Sequence, residues 1–426
     1  MKQYVVPLDD PQAADAERFG PKAANQAALG HAGLPIPEGF CLDAAAYRAQ
    51  LEHLGLTDAA HKAVTLEFME SRPFISQVRI ALFEQPIAPE IEGPLVAAYR
   101  ALVEKTGALV AVRSSSIMED RAGTSFAGQF QSYLGIGNEK DFLTTVRACW
   151  GALWSARAMR YMEDQDLSPN DTAMGVLVQA TVDARASGGG MSRTADGGMS
   201  ISATWGLGEA IAQGEVVPDR YDLTRDGELA ETTMGRKDFS VHCHRHGPSS
   251  QAVAQEQAAE PCLDESRIRE LGQMMRKAED MMGLPVEVEW AMDEAGIKML
   301  QARPLQLEPA EVPDEIWSRH PGVRGHPGGV GWGAGRACVI SCECELGRVG
   351  PGDVLVTKVA GPALAQVLPR VSGVVAELGG STSHLASLAR ERGIPMVLGV
   401  LDATHKIPDG SQVGVDGVAG IVRWIS

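Results

Sequence analysis

The chain has 426 residues, of which 44% are hydrophobic and 22% charged, the composition of a soluble globular protein with two or three domains. Its 55 acidic residues outnumber its 38 basic ones and give a formal net charge of −17, which argues against nucleic acid or an anionic membrane as the main partner. Aromatic residues make up only 5% of the chain, too few for a base-stacking surface.

Helix and strand patterns alternate over residues 1–308, so we expect a mixed α/β (α+β) architecture in this region. In chain order, the patterns predict a turn and helix at 19–34, a strand at 109–113, a polar loop at 114–128, a strand at 129–135, a helix at 140–162, strands at 176–182, 200–205 and 227–235, an amphipathic helix at 266–282, and a hairpin of strands 286–292 and 298–302.

The composition changes after the hairpin, where five prolines and several acidic residues replace periodic structure between residues 304 and 327. Such a segment is typical of an extended, semi-rigid linker. We therefore predict a first domain over residues 1–308, a linker over 309–327 and a compact C-terminal domain over 328–426.

The compartment is predicted from what the sequence lacks. No N-terminal segment has the basic, apolar and small-residue order of a signal peptide, and no apolar run approaches membrane-spanning length. The seven cysteines are scattered and odd in number, which is typical of reduced thiols rather than of a disulfide framework. We expect a cytoplasmic protein without a membrane partner.

Two stretches near the N-terminus suit the binding of phosphate. Lys22 lies at a turn before a helix, although alone such a lysine is usually solvated. Arg113 ends an apolar strand and is followed by hydroxyl and glycine residues through residue 129, a combination that suits phosphate oxygens. There is no Gly-x-x-x-x-Gly-Lys-Ser/Thr loop, and no Gly-x-Gly-x-x-Gly follows a strand, so neither a P-loop nor a dinucleotide fold is expected.

The hairpin carries acidic and polar side chains at alternate positions. Alternation places Glu287 and Glu289 on one face of their strand, and Gln301 with Arg303 on one face of the next. Two carboxylates beside an amide and a guanidinium suit Mg²⁺ together with a polyphosphate. From the spacing alone, a surface ladder of ion pairs is the slightly favoured alternative.

The segment around His384 is the most informative part of the sequence. It follows an apolar strand at 371–378 and a glycine pair, Gly379-Gly380, and it opens a helix that ends near Gly393. The free N–H groups and the dipole at a helix start favour an anionic group, and glycines let that group approach the main chain. A histidine in this position can attack a phosphoryl donor, whereas an isolated histidine would more often only cap or pack.

Two other clusters contain metal-ligand residue types. His242, His244 and His246 alternate and would share one face of a strand, so metal binding is an open but minor alternative to an exposed strand. Cys342-Glu343-Cys344 lacks the two-residue spacer of a zinc or redox pair, and we expect it to pack within a strand.

The segment GGSTSHLASLARERGIPMVLG, residues 379–399, resembles the phosphohistidine signature of the phosphoenolpyruvate synthase and pyruvate phosphate dikinase family, GGxTSHAAxxARExGIPAVxG. It departs from that pattern mainly at Leu385, Ser387 and residues 396–398. The stretches GPKAAN, VAVRSSS, GLGE and VEVEW with LQARP resemble, in this order, the nucleotide-binding motifs of the same family. The resemblance covers nearly the whole chain and implies an ATP-grasp domain followed by a small swivelling β/β/α phosphohistidine domain.

The resemblance also implies roles for individual residues, with ATP and Mg²⁺ as the ligands. His384, with Thr382 and Arg113, would be catalytic, and Glu289 with Gln301 would bind Mg²⁺. The residues implied in nucleotide binding are Lys22, Arg113, Gln179, Glu209, Glu287, Gln301 and Arg303. Glu287 stands where the family usually has Asp, Pro21 stands where it has Gly, and residues 187–192 replace a more apolar strand.

These roles imply a dikinase-type phosphotransferase. ATP would be split to AMP and phosphate through a pyrophosphohistidine and a phosphohistidine at His384, and a mobile carrier would take the phosphoryl group to a small-molecule acceptor such as pyruvate or a phenol. No pyruvate-binding barrel or inserted acceptor domain is recognised, so we expect the acceptor site on a separate subunit. The alternative is an ATP-dependent phosphocarrier or regulatory module that acts on a protein partner.

Overall fold

The computed structural model describes residues 3–119, 130, 132–164, 167–194, 196–245, 247–305, 317, 320 and 322–425. The chain divides into two compact units. The first comprises Met1–Val182, Cys243–Ser249 and Lys298–Arg303, and the second comprises Asp183–His242, Ser250–Ile297 and Pro304–Ser426. The domain boundaries predicted at residues 308 and 328 stay predictions. Within the described residues, every helix is too short or too polar to cross a bilayer.

The first unit contains an antiparallel sheet with the order β1-β2-β5-β3-β4. Its strands are β1 Val5–Pro7, β2 Gly39–Leu42, β3 Val110–Ser116, β4 Ser132–Ile136 and β5 Met174–Ala180. Its α-helices are Ala16–Phe19, Pro21–His31, Ala44–His53, Thr57–Thr65, Phe68–Glu84, Pro89–Thr106, Glu139–Ala152 and Ala156–Asp164, with a 3-10 helix at Pro11–Ala14.

The predicted strand at 109–113 is too short. Strand β3 continues through Ser116, because residues 114–116 pair with residues 174–176 of β5. Ser114, Ser115 and Ser116 are therefore buried in the sheet and do not begin a polar loop. Residues 117–119 of the predicted loop form a turn, and residues 120–128 lie outside the described residues.

The single helix predicted at 140–162 is two helices, Glu139–Ala152 and Ala156–Asp164. The break allows Trp154 to lie in the interior, where it is 1% exposed and its indole Nε1 donates to Tyr47 Oη at 2.9 Å. A continuous helical pattern does not reveal this contact, because Tyr47 is 107 residues earlier in the chain.

The second unit contains two sheets. One includes the order β12-β6-β7-β8-β9, and among the described residues the other has eight strands in the order β14-β21-β20-β16-β17-β18-β19-β15. Strands β10 and β11, whose residues are divided between the two units, pair with each other as a separate two-stranded sheet. The strands from β6 onward are β6 Ala186–Met191, β7 Met199–Trp205, β8 Asp219–Leu223, β9 Leu229–Thr233, β10 Phe239–His244, β11 Gly247–Ala252, β12 Val286–Asp293, β13 Gly296–Pro304, β14 Gly322–Arg324, β15 His326–Pro327, β16 Trp332–Ile340, β17 Val354–Thr357, β18 Gly373–Ala376, β19 Met396–Leu398, β20 Gln412–Asp416 and β21 Ile421–Ile425. Most of β13 belongs to the first unit.

The helices of the second unit include the predicted amphipathic and histidine-bearing ones. They are α-helices Glu209–Ala212, Gln255–Ala258, Glu265–Met282, His384–Glu391 and Ala403–Lys406, with 3-10 helices at Glu343–Arg348, Pro362–Gln366 and Leu368–Arg370. The helix Glu265–Met282 begins at Asp264, whose carboxylate accepts from Arg267 N, and ends at Gly283 in the left-handed conformation.

Three consecutive glycines let strand β6 lie close to its neighbours. A Cβ at Gly188 would lie 1.9 Å from Ser202 O, and one at Gly190 would lie 2.7 Å from the sulfur of Met275. A Cβ at Gly189 would lie 2.4 Å from the side chain of Thr382. Because the glycines of the sequence SGGGMS carry no side chains, neighbouring elements pack directly against the backbone of this buried strand.

The prediction that Cys342-Glu343-Cys344 packs within a strand is wrong. Cys342 caps the 3-10 helix Glu343–Arg348, and its sulfur is bonded to that of Cys344. The expectation of reduced thiols holds for the other five cysteines, Cys41, Cys149, Cys243, Cys262 and Cys338. The pair was missed because the sequence pattern indicates a strand, whereas Cys342 lies at the start of a short helix.

A buried ion pair fixes the start of β8. Lys237 Nζ contacts Asp219 Oδ1, and both side chains are fully buried. The Asp219 carboxylate also accepts from Gly235 N at 2.9 Å, from Cys262 N at 2.9 Å and from Tyr221 Oη at 3.2 Å. Because each carboxylate oxygen is paired, the charge of Asp219 is tolerated in the interior.

Replacing Lys237 with Met should destabilise the second unit, because it leaves the Asp219 carboxylate buried without its counter-charge. Breaking a buried pair in this way costs about 3–5 kcal/mol. Urea unfolding measures the loss. The matched control is R236A, which removes the neighbouring exposed pair Arg236–Asp238 and should change the free energy of unfolding by less than about 1 kcal/mol. Equal, small effects of the two substitutions would contradict the structural role of Lys237.

Candidate active site

Lys22 is held near the start of its helix by the first unit. The helix Pro21–His31 begins after Gly20, whose φ of 79° places its backbone against Ser115, where a Cβ would lie 2.4 Å from Ser115 O. Lys22 Nζ donates to Glu119 Oε1 at 2.8 Å and to Ser114 O at 3.3 Å. Sequence reasoning gave Glu119 no role, yet this carboxylate orients the lysine, and an incoming phosphate would compete with it for the same ammonium group.

Strand residues 298–303 are fixed against the same helix. Asn25 Nδ2 donates to Ala302 O at 3.1 Å, and Gln26 Nε2 donates to Met299 O at 2.8 Å. Arg113 Nη1 donates to Leu300 O at 3.5 Å. The helix that bears Lys22 and the strand that bears Arg113 thus both contact the strand that bears Gln301 and Arg303, while the phosphate-binding roles of these residues stay predictions.

Gln179 is a buried amide in β5. Its side chain is 2% exposed, and its Nε2 finds no hydrogen-bond partner among the described residues. Gly39 lies opposite it in β2, where a Cβ would lie 2.2 Å from Val178 O. A buried donor of this kind is expensive unless a ligand supplies an acceptor, which fits the ring nitrogens of a purine.

The acidic residues of β12 differ in their surroundings. Glu287 is buried, and its Oε2 accepts from Arg390 Nη2 at 2.7 Å. Glu289 is half-buried and lies opposite Gly189 in the antiparallel pair with β6. Glu209, also half-buried, is the first residue of the helix Glu209–Ala212. The surface ladder of ion pairs is therefore wrong for Glu287, whose ion pair with Arg390 is buried, whereas the binding of a metal ion by Glu289 stays a prediction.

His384 is the first residue of the helix His384–Glu391, as the sequence predicts, and the structure shows that it is exposed. Ser383 caps this helix, and its Oγ accepts from Ala386 N at 3.2 Å. Gly379, with φ of 103°, makes the preceding turn that only glycine adopts readily. Ser381 is buried, and its Oγ has no hydrogen-bond partner among the described residues. A capped helix start with a buried hydroxyl and an exposed imidazole suits an anionic group on His384.

The glycine turn before His384 packs on the stretch 206–219. Gly379 N donates to Val216 O at 2.9 Å, and a Cβ at Gly380 would lie 2.7 Å from the ring of Pro218. A Cβ at Gly214 would lie 3.1 Å from Ala360 O. The motif GLGE predicts only a nucleotide-binding role for this stretch, and the structure shows that the turn before His384 also packs against it. The motif alone does not predict this contact, because the residues that make it are far apart in the sequence.

The histidine cluster at 242–246 is described only in part, because His246 lies outside the described residues. His242 shares a hydrogen bond of 2.9 Å between its Nε2 and Ser240 Oγ. Among the described residues, no group of three or more His, Cys, Asp or Glu side chains is arranged to hold a metal ion.

His326 in β15 is a buried group that sequence reasoning missed. Burial, together with the smaller effect of the positive charge of Arg220, lowers its pKa to about 3, so the imidazole is neutral in the folded protein. A Cβ at Gly399 would lie 2.5 Å from the His326 ring. Arg220 Nη1 donates to Gly325 O at 3.3 Å, next to it in the chain.

Two models of protein families match most of the chain. The model for the pyruvate phosphate dikinase AMP/ATP-binding domain matches residues 16–320, and that for the mobile domain of PEP-utilising enzymes matches residues 349–420. Together with the mixed helix and sheet architecture, these matches confirm the predicted α/β fold class with an ATP-grasp-like nucleotide domain.

Three relatives show how much of such proteins the chain represents. It is 32% identical to a probable phosphoenolpyruvate synthase of Methanothermobacter thermautotrophicus, over 99% of this chain and 64% of the relative. It is 33% identical to one of Archaeoglobus fulgidus, over 98% and 58%, and 30% identical to phosphoenolpyruvate synthase of Escherichia coli, over 96% and 56%. The chain thus spans between 56% and 64% of the length of these relatives.

Acidification should destabilise the second unit through His326. Its folded-state pKa of about 3 lies below the ordinary 6.5, so the unfolded chain binds more protons, and stability falls as the pH falls from 6.5 towards 3. Between pH 7 and pH 5 the loss from this residue is about 2 kcal/mol. H326Q should reduce the difference in the free energy of unfolding between these pH values, whereas H405Q, at an exposed site, should not. An unchanged difference in H326Q would contradict this assignment.

Proposed function

Because the chain belongs to the pyruvate phosphate dikinase and phosphoenolpyruvate synthase family, we propose that it is an ATP-dependent dikinase-type phosphotransferase that carries a phosphoryl group on His384. The observation that carries the proposal is the placement of His384. Its exposed imidazole opens a capped helix, and Thr382, two residues before it, packs on Gly189 of β6, which lies opposite Glu289 of β12.

The first step is the attack of a neutral His384 nitrogen on the β-phosphorus of ATP. A bond forms from nitrogen to phosphorus, the bond from that phosphorus to the α,β-bridging oxygen breaks, and AMP leaves with this oxygen. A water oxygen then attacks the terminal phosphorus of the pyrophosphohistidine, and the bond from this phosphorus to the bridging oxygen breaks. Inorganic phosphate leaves, and the bridging oxygen stays on the phosphorus bound to His384. In the last step an acceptor oxygen takes the remaining phosphoryl group, and the neutral imidazole is restored.

Residues of the chain would support these steps by binding and charge. Lys22 and Arg113 offset the negative charge of the phosphates, and Gln179 offers its buried amide to the adenine. Glu289 and Gln301 supply the carboxylate and amide oxygens that suit Mg²⁺, with Glu209 and Arg303 in supporting roles. When bound, Mg²⁺ withdraws charge from the phosphoryl oxygens. The free helix N–H groups beside His384 favour the anionic adduct.

Pyruvate is the acceptor we propose first, because the relatives are named phosphoenolpyruvate synthases. A phenol or a similar small molecule is the alternative acceptor. The separate subunit expected to carry the acceptor site stays a prediction, as does the cytoplasmic location.

Replacing His384 with Ala should abolish labelling of the protein by ATP that carries ³²P in the β position, because no other step retains that phosphorus on the chain. Labelling that survives alkali and is lost in acid identifies phosphohistidine. H405A is the matched control, since His405 is an exposed histidine at the end of a helix in the same unit, and it should be labelled like the unaltered protein. Undiminished labelling of H384A would refute the proposal.

Replacing Glu289 with Gln should raise the Mg²⁺ concentration needed for half-maximal labelling by about tenfold or more, because a neutral amide binds the ion more weakly than a carboxylate. The control is E294Q, which alters an exposed carboxylate in the turn after the same strand. The rate of AMP release as a function of Mg²⁺ gives the measurement. Identical Mg²⁺ dependence in E289Q and the unaltered protein would remove Glu289 from the metal site.

A further inference from the structure

Arg390 is a buried arginine in the last turn of the helix that His384 opens. Its side chain is 5% exposed, and its guanidinium reaches four acceptors. Nη2 donates to Glu287 Oε2 at 2.7 Å and to Ser387 Oγ at 3.3 Å, while Nη1 donates to Ser381 O at 2.7 Å and to Gly328 O at 3.5 Å. One side chain therefore ties the turn before His384 to strand β12.

The partner of this arginine is equally buried. The Glu287 side chain is 6% exposed, so the ion pair is shielded from water. Each of the two charges is stable in the interior only while the other is present. If the histidine segment leaves the sheet, both groups lose this partner. The pair is therefore specific to the arrangement in which the segment rests on the sheet, and it penalises positions in which the helix is displaced by part of a turn.

A second contact lies close to the first along the same pair of strands. In the register of β12 and β6, Glu287 lies opposite Met191 and Glu289 lies opposite Gly189. Thr382 packs on Gly189, where any Cβ would lie 2.4 to 2.6 Å from its side-chain atoms. Arg390 therefore contacts β12 at Glu287, and Thr382 contacts β6 at Gly189, which lies opposite Glu289. Together the two contacts hold the histidine segment beside Glu289.

We propose that Arg390 is a positioning residue for the phosphorylation of His384, and that Glu287 and Gly189 form its docking site on the sheet. The inference rests on the proposed function and deepens it. It changes the part assigned to Glu287, which was expected to bind nucleotide. In the docked arrangement the Glu287 carboxylate instead neutralises Arg390. This contact also fixes the distance between His384 and Glu289, the proposed metal ligand two residues further along β12.

The test separates docking from nucleotide binding. R390Q and E287Q should each slow single-turnover labelling of His384 at least tenfold, and R390K should restore part of the rate. The affinity for ATP, measured by calorimetry in the H384A background to prevent turnover, should stay within about twofold. The double variant R390Q/E287Q should be no slower than the slower single variant, because both substitutions remove one interaction.

Two further variants guard against a general loss of structure. G189A leaves every charge in place and should slow labelling by displacing Thr382. R225Q breaks a different ion pair of the same unit, between Arg225 and Glu279, and should leave the labelling rate within about twofold. If R390Q labels at the rate of the unaltered protein, if E287Q weakens ATP binding while R390Q does not slow labelling, or if the two substitutions act additively, the proposal is overturned.

Docking can also be measured without any reaction, so that failure of the proposed function does not leave it undecided. Amide hydrogen exchange in the absence of ATP should rise in R390Q both at residues 379–387 and at residues 187–191, because the two surfaces cover each other. Unlabelled but normally folded protein would refute the dikinase function. Exchange that rises only within the helix would refute the docking role of Arg390, whatever the outcome of labelling.

Discussion

The buried ion pair between Arg390 and Glu287 is the contact on which the arrangement of the histidine segment depends. A guanidinium in the interior is tolerated only with a counter-charge and hydrogen-bond acceptors, and here these come from β12 and from the turn at Ser381. Because Arg390 must keep these partners, the helix can rest on the sheet in one position only. The exposed imidazole of His384 is then presented from a rigid base.

The same constraint explains why small residues lie where the segment rests. Glycines 188–190 have no side chains, so Thr382 and Met275 can contact the backbone of the sheet. Gly380 likewise lies against the ring of Pro218. Larger side chains at these positions would hold the helix away and break the ion pair at Glu287. Packing and electrostatics therefore depend on each other, and neither alone would fix the distance from His384 to the strand.

Much of this structure follows from local sequence. The apolar spacing and the Asp264 cap define the helix Glu265–Met282, and the glycine pair followed by Ser383 places His384 at a helix start, because each signal lies within a few residues of the element it specifies. The strand face shared by Glu287 and Glu289 follows from alternation in the same way.

Most of the errors involve partners distant in the sequence; the exception is the bonded pair Cys342–Cys344, whose members are two residues apart. The helix break at Trp154 depends on Tyr47, and the burial of Ser114 depends on pairing with Val176. The buried pair of Asp219 in β8 with Lys237, which lies between β9 and β10, is another contact for which the sequence offers no local signal. No periodic pattern contains such information, because a contact between distant segments is set by the packing of the whole unit rather than by the composition of either segment.

The central claim is that an imidazole stores the β-phosphoryl group of ATP. It is tested most directly by mapping the modified residue after the protein meets Mg²⁺ and ATP, using mass spectrometry of alkali-quenched peptides together with chromatography of the released nucleotide. The account predicts an acid-labile phosphoryl group on the peptide that contains His384 and an equal amount of AMP. A phosphoryl group on any other residue, or ADP as the product, would contradict it.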